Sequence, residues 1–214
     1  MYDAGDSLPV DELPSGSLLV SGPAMSGKHE LLLDFLVEGA DLGDGSLFIT
    51  TNDSASSIIA DFDERIKGEP DNLRLVDCVS EQQSVTERFP EERVEYVNSP
   101  GDMTGVGIGV SEQLRRFSES NVDRTRIGFD SLSTLLMYSD VETVFRFLHV
   151  LTGRVDDVSA VGLFTIDPTT HDAETVNTLK QLFDGVIELR NGEAGPEVRF
   201  VGLPDTPEGW TSLE

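Results

Sequence analysis

The chain has 214 residues, with 40 Asp and Glu against 15 Lys and Arg, a formal net charge of −25. That length suits one domain, and 38% hydrophobic residues with 11 Phe exclude a disordered acidic chain. The charge repels phosphate backbones and anionic membranes, no apolar run reaches the ~20 residues of a membrane span, and the single cysteine, Cys78, excludes an intrachain disulfide.

With no signal-peptide pattern either, these features read as a soluble cytoplasmic protein without a membrane partner or direct nucleic-acid binding. Residues 1–15 carry Pro9, Pro14 and no period, which predicts a flexible acidic leader ahead of one domain over residues 16–214. Ser17-Leu18-Leu19-Val20 predicts a strand that enters a glycine turn at Gly22. From Lys28, the residues Leu31, Leu32, Phe35 and Leu36 recur at helical spacing, with Gly39 as the closing residue. Strands are expected over residues 46–50, 73–78 and 94–98, with a helical stretch over 53–66. Residues 99–107 read as a glycine-rich loop, and the span Gly101–Gly109 as either a mobile lid or a plain connection, before a helix over 110–119. A strand over 125–129 then ends on Asp130. Ser139 and Glu142 have capping-box spacing ahead of a helix over 139–153. A strand over 160–166, a helix over 173–183, and two strands over 185–190 and 197–202 around a hairpin loop at 191–195 complete the chain. Strands alternating with helices predict an α/β fold, a mostly parallel sheet covered on both faces, with a C-terminal β-hairpin.

The most specific signal is Gly22-Pro23-Ala24-Met25-Ser26-Gly27-Lys28, between an expected strand and an expected helix. It fits the first seven positions of the phosphate-binding pattern G-x-x-x-x-G-K-[ST]. Glycines let successive N–H groups face one point, the helix N-terminus adds its dipole, and Lys28 supplies a cation. The alternative is a glycine turn with Lys28 in solvent. The eighth position holds His29 rather than a hydroxyl for Mg²⁺, and an imidazole is a poor ligand for that oxygen-seeking cation. The alternative for His29 is a surface helix residue. Asp130, at the end of an apolar strand, is of the type that holds Mg²⁺ through water in phosphate-loop proteins.

The run Leu13-Pro14-Ser15-Gly16-Ser17-Leu18-Leu19-Val20-Ser21-Gly22 with the lysine loop is similar to the opening of KaiC-like members of the RecA superfamily. Asp130-Ser131-Leu132-Ser133 resembles their second motif, and Phe183-Asp184-Gly185-Val186-Ile187-Glu188-Leu189-Arg190 resembles their late strand. Ser99-Pro100-Gly101-Asp102-Met103-Thr104-Gly105 and residues 132–138 look like a haloarchaeal, gas-vesicle-regulator-like branch. Pervasive carboxylates, with Lys28, Lys67 and Lys180 against twelve Arg, also resemble proteins that work in concentrated KCl.

The resemblance implies a RecA-like sheet in which another strand separates the lysine-loop strand from the Asp130 strand. It also implies ATP or ADP held by Gly22, Pro23, Ala24, Met25, Ser26, Gly27, Lys28 and His29, with Asp130 facing magnesium. Three catalytic parts of active relatives are altered. His29 replaces the metal hydroxyl, Thr50-Thr51-Asn52-Asp53 replaces a glutamate pair, and Arg199 lacks the Lys/Arg finger pattern. Asp53 and Asp167 are the catalytic candidates; Asp53 also suits a helix cap, and Asp167 or His171 a phosphate sensor or a helix-entry turn. His149 reads as a packed or half-buried histidine, and Trp210 as a ring docked on the sheet edge or on a partner. The expected function is a nucleotide-binding regulator of a protein partner, with weak or absent hydrolysis and a possible homo-oligomer. The alternatives are a nucleotide-free scaffold and a slow ATPase completed by a partner subunit.

Overall fold

The computed structural model describes residues 1–67, 72–83, 88–193 and 195–213; Ala194 of the expected hairpin loop lies outside them. Strands β3 (Gly16–Ser21), β4 (Gly45–Thr50), β7 (Thr125–Asp130) and β8 (Val161–Ile166) are buried at every position, as expected of strands covered on both faces. With β5 (Leu73–Asp77), β6 (Val94–Tyr96), β9 (Gly185–Asn191), β10 (Pro196–Val201) and β11 (Thr211–Ser212) they form one sheet in the order β11-β10-β9-β3-β8-β7-β4-β5-β6. From β9 to β6 every pairing is parallel, and β9–β10 is the antiparallel C-terminal hairpin. Strand β8 separates β3 from β7, so Ser21, Asp130 and Ile166 end their strands along one carboxyl edge.

Helices α1 (Lys28–Asp41) and α2 (Ala55–Arg65) cover one face of the sheet. The short α3 (Ser80–Gln83) follows β5, and α4 (Met103–Glu119), α5 (Leu132–Tyr138), α6 (Val141–Asp157) and α7 (Ala173–Lys180) follow it in the chain. The last four cover the opposite face. Several expectations change here. Residues 1–15 are not a loose leader: β1 (Tyr2–Asp3) pairs with β2 (Glu12–Leu13), and Tyr2, Ala4, Leu8 and Leu13 are buried beside α1. The Tyr2 hydroxyl donates to Ser159 O at 2.9 Å, and the Arg124 guanidinium lies 4.3 Å from its ring centroid. Four apolar anchors without a period carry no secondary-structure signal, yet they suffice to dock a short segment.

The glycine-rich loop is mostly helix. Asp102 caps α4 by accepting from Gly105 N at 2.9 Å, which sets Gly105 against that carboxylate, while Gly109 lies inside the helix where it packs close to the sheet. A Cβ at Gly109 would stand 3.0 Å from Glu95 Cγ and 3.2 Å from Val76. Gly39 likewise does not close α1, which runs two residues further; it leaves room for the side chain of Arg126. The caps of α2 and α6 are Ser54 and Asp140, not Asp53 and Ser139. Helix α5 and strand β11 had no expectation at all. His149 is exposed rather than packed, and the half-buried Trp210 ring lies 4.1 Å from the Arg190 guanidinium and 4.9 Å from that of Arg199.

Candidate functional site

The lysine loop leaves β3 at Gly22, whose N–H donates to Ile166 O at 3.2 Å, and ends at Gly27, the residue before α1. A Cβ on Gly22 would stand 2.5 Å from Ser26 Oγ and 3.0 Å from Leu189 O, so only glycine fits between the loop and β9. Gly27 has φ +84° with open space around it; glycine is required there by backbone conformation, not by room. Met25 also has positive φ and stands almost wholly in solvent at the loop tip.

Two of the donors gathered here, the leading N–H groups of α1 and the Ser26 hydroxyl, lack acceptors of their own among the described residues. Helices α2, α4, α5, α6 and α7 each have a side-chain oxygen capping the first turn, whereas α1 has none. Its leading N–H groups therefore remain available, together with the positive end of the helix dipole. Ser26 is buried, and its hydroxyl has no hydrogen-bond partner among the described residues. Lys28 Nζ folds back onto Gly22 O and Pro23 O, each at 2.6 Å. Burial pulls the Lys28 pKa down, against the opposing pull of Asp167, Asp130 and Glu30. A set made of N–H groups, a hydroxyl and an ammonium suits an anion such as phosphate.

Across the loop, Asp167 follows the end of β8. Burial pushes its carboxyl up, but the Thr169 hydroxyl and N–H, Lys28 and the Ala24 N–H together hold it below the usual carboxylate range. Thr169 N and Oγ1 donate to Asp167 Oδ1 at 2.8 and 2.6 Å. Asp167 thus lies beside the lysine loop. Asp53 is exposed at the start of the loop before α2; its backbone binds Thr50 Oγ1, and its charge acts on His29. His171 is half-buried, with Nε2 unpartnered among the described residues.

His29 is not a surface helix residue. Its Nδ1 lies 2.8 Å from Asp130 Oδ2, and its ring packs edge-on against Phe48 at 5.9 Å. The hydrogen bond to Asp130 raises the His29 pKa, outweighing burial, with further help from the charges of Asp130, Asp53 and Glu30. The other oxygen of Asp130 accepts from Thr165 Oγ1 at 2.6 Å. Thr51 Oγ1 bridges the ends of β4 and β7: it donates toward Asp130 O at 3.0 Å and Ser131 O at 3.2 Å, and accepts from Ser131 N at 2.8 Å. The stretch 50–53 is therefore tied to the start of α5 and sets no glutamate at the loop. Arg199 binds Glu188 on the neighbouring β9 and flanks Trp210. The sequence picked out His29 and Asp130 separately. Their direct bond across about a hundred residues of chain had no local signal, nor had the roles of Thr51 and Thr165.

Sheet order, lysine loop and hairpin define a RecA-like α/β fold of the KaiC type. The chain superposes on the KaiC-like protein PH0186 from the hyperthermophilic archaeon Pyrococcus horikoshii OT3 with a TM-score of 0.60, over 92% of this chain and 83% of that one. At 13% sequence identity, that likeness is one of fold. No functionally curated protein matches the chain in sequence. The model of the family of unknown function DUF7504 matches residues 15–189, and the chain belongs to that family. No described helix is long and apolar enough to cross a membrane.

Proposed function

We propose that this protein is a KaiC-like regulator that binds ATP or ADP and hydrolyses it weakly or not at all. In this reading residues 16–214 form one nucleotide-binding domain, on which residues 1–15 pack. The observation that carries the reading is the loop from Gly22 to Lys28, where an uncapped α1 and the unpartnered Ser26 hydroxyl present donors without acceptors beside the Lys28 ammonium, which rests on the loop's own carbonyls. The backbone of Pro23, Ala24, Met25, Ser26 and Gly27 would wrap the phosphates, and Lys28 would leave the Gly22 and Pro23 carbonyls for a phosphate oxygen. Weak hydrolysis follows from the absence of a glutamate in residues 50–53 and from the engagement of Arg199 with Glu188. Losing finger-type stabilisation alone lowers turnover by a factor of about 10³–10⁵.

The regulatory part of the proposal is signal transduction, or transcription or motility control, in the cytoplasm of a halophilic archaeon. It rests on the acidic surface and on the resemblance to the gas-vesicle-regulator-like branch. Most of residues 101–109 is already helical, so a mobile lid there has no part in it. A protein partner is supported by a groove of about 380 Å³ between α4 and α6, lined by Met103, Ile108, Phe147 and Val150 with Arg146 and Arg154. A second reading, a nucleotide-free scaffold, is favoured by Lys28 being held within its own loop. Calorimetric titration of ATP and ADP in molar KCl separates the two. Micromolar binding that disappears in Lys28→Ala supports the first reading; a folded protein that ignores millimolar nucleotide supports the second.

A further inference from the structure

We infer that the protein takes its nucleotide without a divalent cation, because His29 and Asp130 close the place where magnesium would sit. The inference rests on the nucleotide reading above and concerns the chemical form of that ligand. Mg²⁺ requires near-octahedral coordination by oxygens at about 2.0–2.1 Å and gives up its waters reluctantly. Beside bound phosphates the protein contributes only one or two of those oxygens and water and phosphate the rest, and here the two positions that would contribute, 29 and 130, are already engaged with each other. Position 29 offers an imidazole already bonded through Nδ1 to Asp130 Oδ2 at 2.8 Å, and Asp130 Oδ1 is held by Thr165 Oγ1 at 2.6 Å. Asp130 is only 8% exposed, so a bridging water has little approach to it.

Apart from Ser26 Oγ within the lysine loop, which has no partner among the described residues, the neighbouring hydroxyls are also engaged. Thr50 Oγ1 donates to Asp53 O, Thr51 Oγ1 joins Asp130 and Ser131, Ser131 Oγ caps α5, and Ser133 Oγ accepts from Asp167 N. Among the described residues no group of three His, Cys, Asp or Glu side chains is arranged to hold a metal. Freeing a metal seat would mean breaking a charge-assisted bond between two partly buried side chains, His29 and Asp130. Lys28 and the α1 N-terminus remain as the groups that meet the phosphates. Such a site prefers free ADP or ATP over the magnesium complex, since the bound cation brings a hydrated charge that finds no ligand.

The test is calorimetric titration of ADP into the full chain in molar KCl, once with EDTA and once with millimolar Mg²⁺, for wild type and His29→Ser. The expected result is wild-type affinity in EDTA equal to or above that in Mg²⁺, within about threefold. His29→Ser, which restores a hydroxyl and frees Asp130 Oδ2, should bind at least about tenfold more tightly with Mg²⁺ than without. Wild-type binding that weakens about tenfold or more in EDTA overturns the inference while leaving the nucleotide reading intact. No binding in either buffer removes the nucleotide reading itself, and the inference with it. If His29→Ser does not fold, the wild-type comparison alone decides.

Discussion

Arg126 is fully buried in β7, and its place depends on a missing methyl group. Its Nε bonds Asp44 Oδ2 at 2.9 Å, its Nη1 donates to Phe35 O at 3.1 Å, and the guanidinium lies 4.7 Å from the Phe35 ring. A Cβ added at Gly39 would collide with Arg126 Cδ and stand 2.5 Å from Nε. The side chain has no exposed route of retreat, so Gly39→Ala forces it off Asp44. Breaking a buried ion pair costs about 3–5 kcal/mol. The alanine returns about 1 kcal/mol of helix propensity, and the net loss is about 2–4 kcal/mol, equivalent to a fall of about 10 °C in Tm. Gly153 in α6 provides the control, since a Cβ there meets nothing within 4 Å. Gly153→Ala should stabilise by about 1 kcal/mol or slightly less. Urea and thermal unfolding followed by circular dichroism in molar KCl measure both variants. A Gly39→Ala protein as stable as wild type refutes the reasoning, because Arg126 would then have somewhere else to go.

Other expectations follow from the site and the surface. Asp167→Asn removes a carboxylate beside Lys28 and the Ala24 N–H; it should tighten nucleotide binding by about three- to tenfold, and weaker binding would assign Asp167 a role in holding nucleotide instead. The raised pKa of His29 makes its bond to Asp130 a stabilising contribution that is full below the ordinary histidine range and lost as pH rises through the folded-state value. An NMR titration should therefore find a His29 midpoint above that of a free histidine, returning toward it in Asp130→Asn; an unshifted wild-type midpoint contradicts the bond. With a formal charge of −25, the unfolding midpoint should climb as KCl shortens the screening length from about 30 Å at 0.01 M to about 3 Å at 1 M. A midpoint indifferent to KCl counts against the halophilic reading.

The parts of this fold that could be read from the sequence were those carried by period and contiguity. Strands β3, β4, β7 and β8 carry short apolar cores such as Leu18-Leu19-Val20 and Leu47-Phe48-Ile49 and are buried throughout because both faces are covered, and α1 and α6 show apolar stripes. Glycines misled twice, at Gly39 and across Gly105–Gly109, because glycine marks a close approach as readily as it marks a turn. The docking of residues 1–15 was hidden because it depends on a few side chains meeting α1 and Ser159 far along the chain. In the site, the lysine loop was legible as a local pattern. The bond of His29 to Asp130 was not, since it exists only when the sheet sets β3, β8 and β7 side by side. The threonines that fix Asp130, Thr51 and Thr165, sit on other strands and carry no motif of their own.

The most direct measurement is a crystal structure of the full chain grown with ADP in molar KCl and EDTA. The account predicts the β-phosphate cradled by the N–H groups between Pro23 and Lys28, Lys28 Nζ moved from the Gly22 and Pro23 carbonyls to a phosphate oxygen, and His29 still bonded to Asp130. An ADP bound elsewhere, or a loop still closed on Lys28 in crystals saturated with ADP, would contradict it.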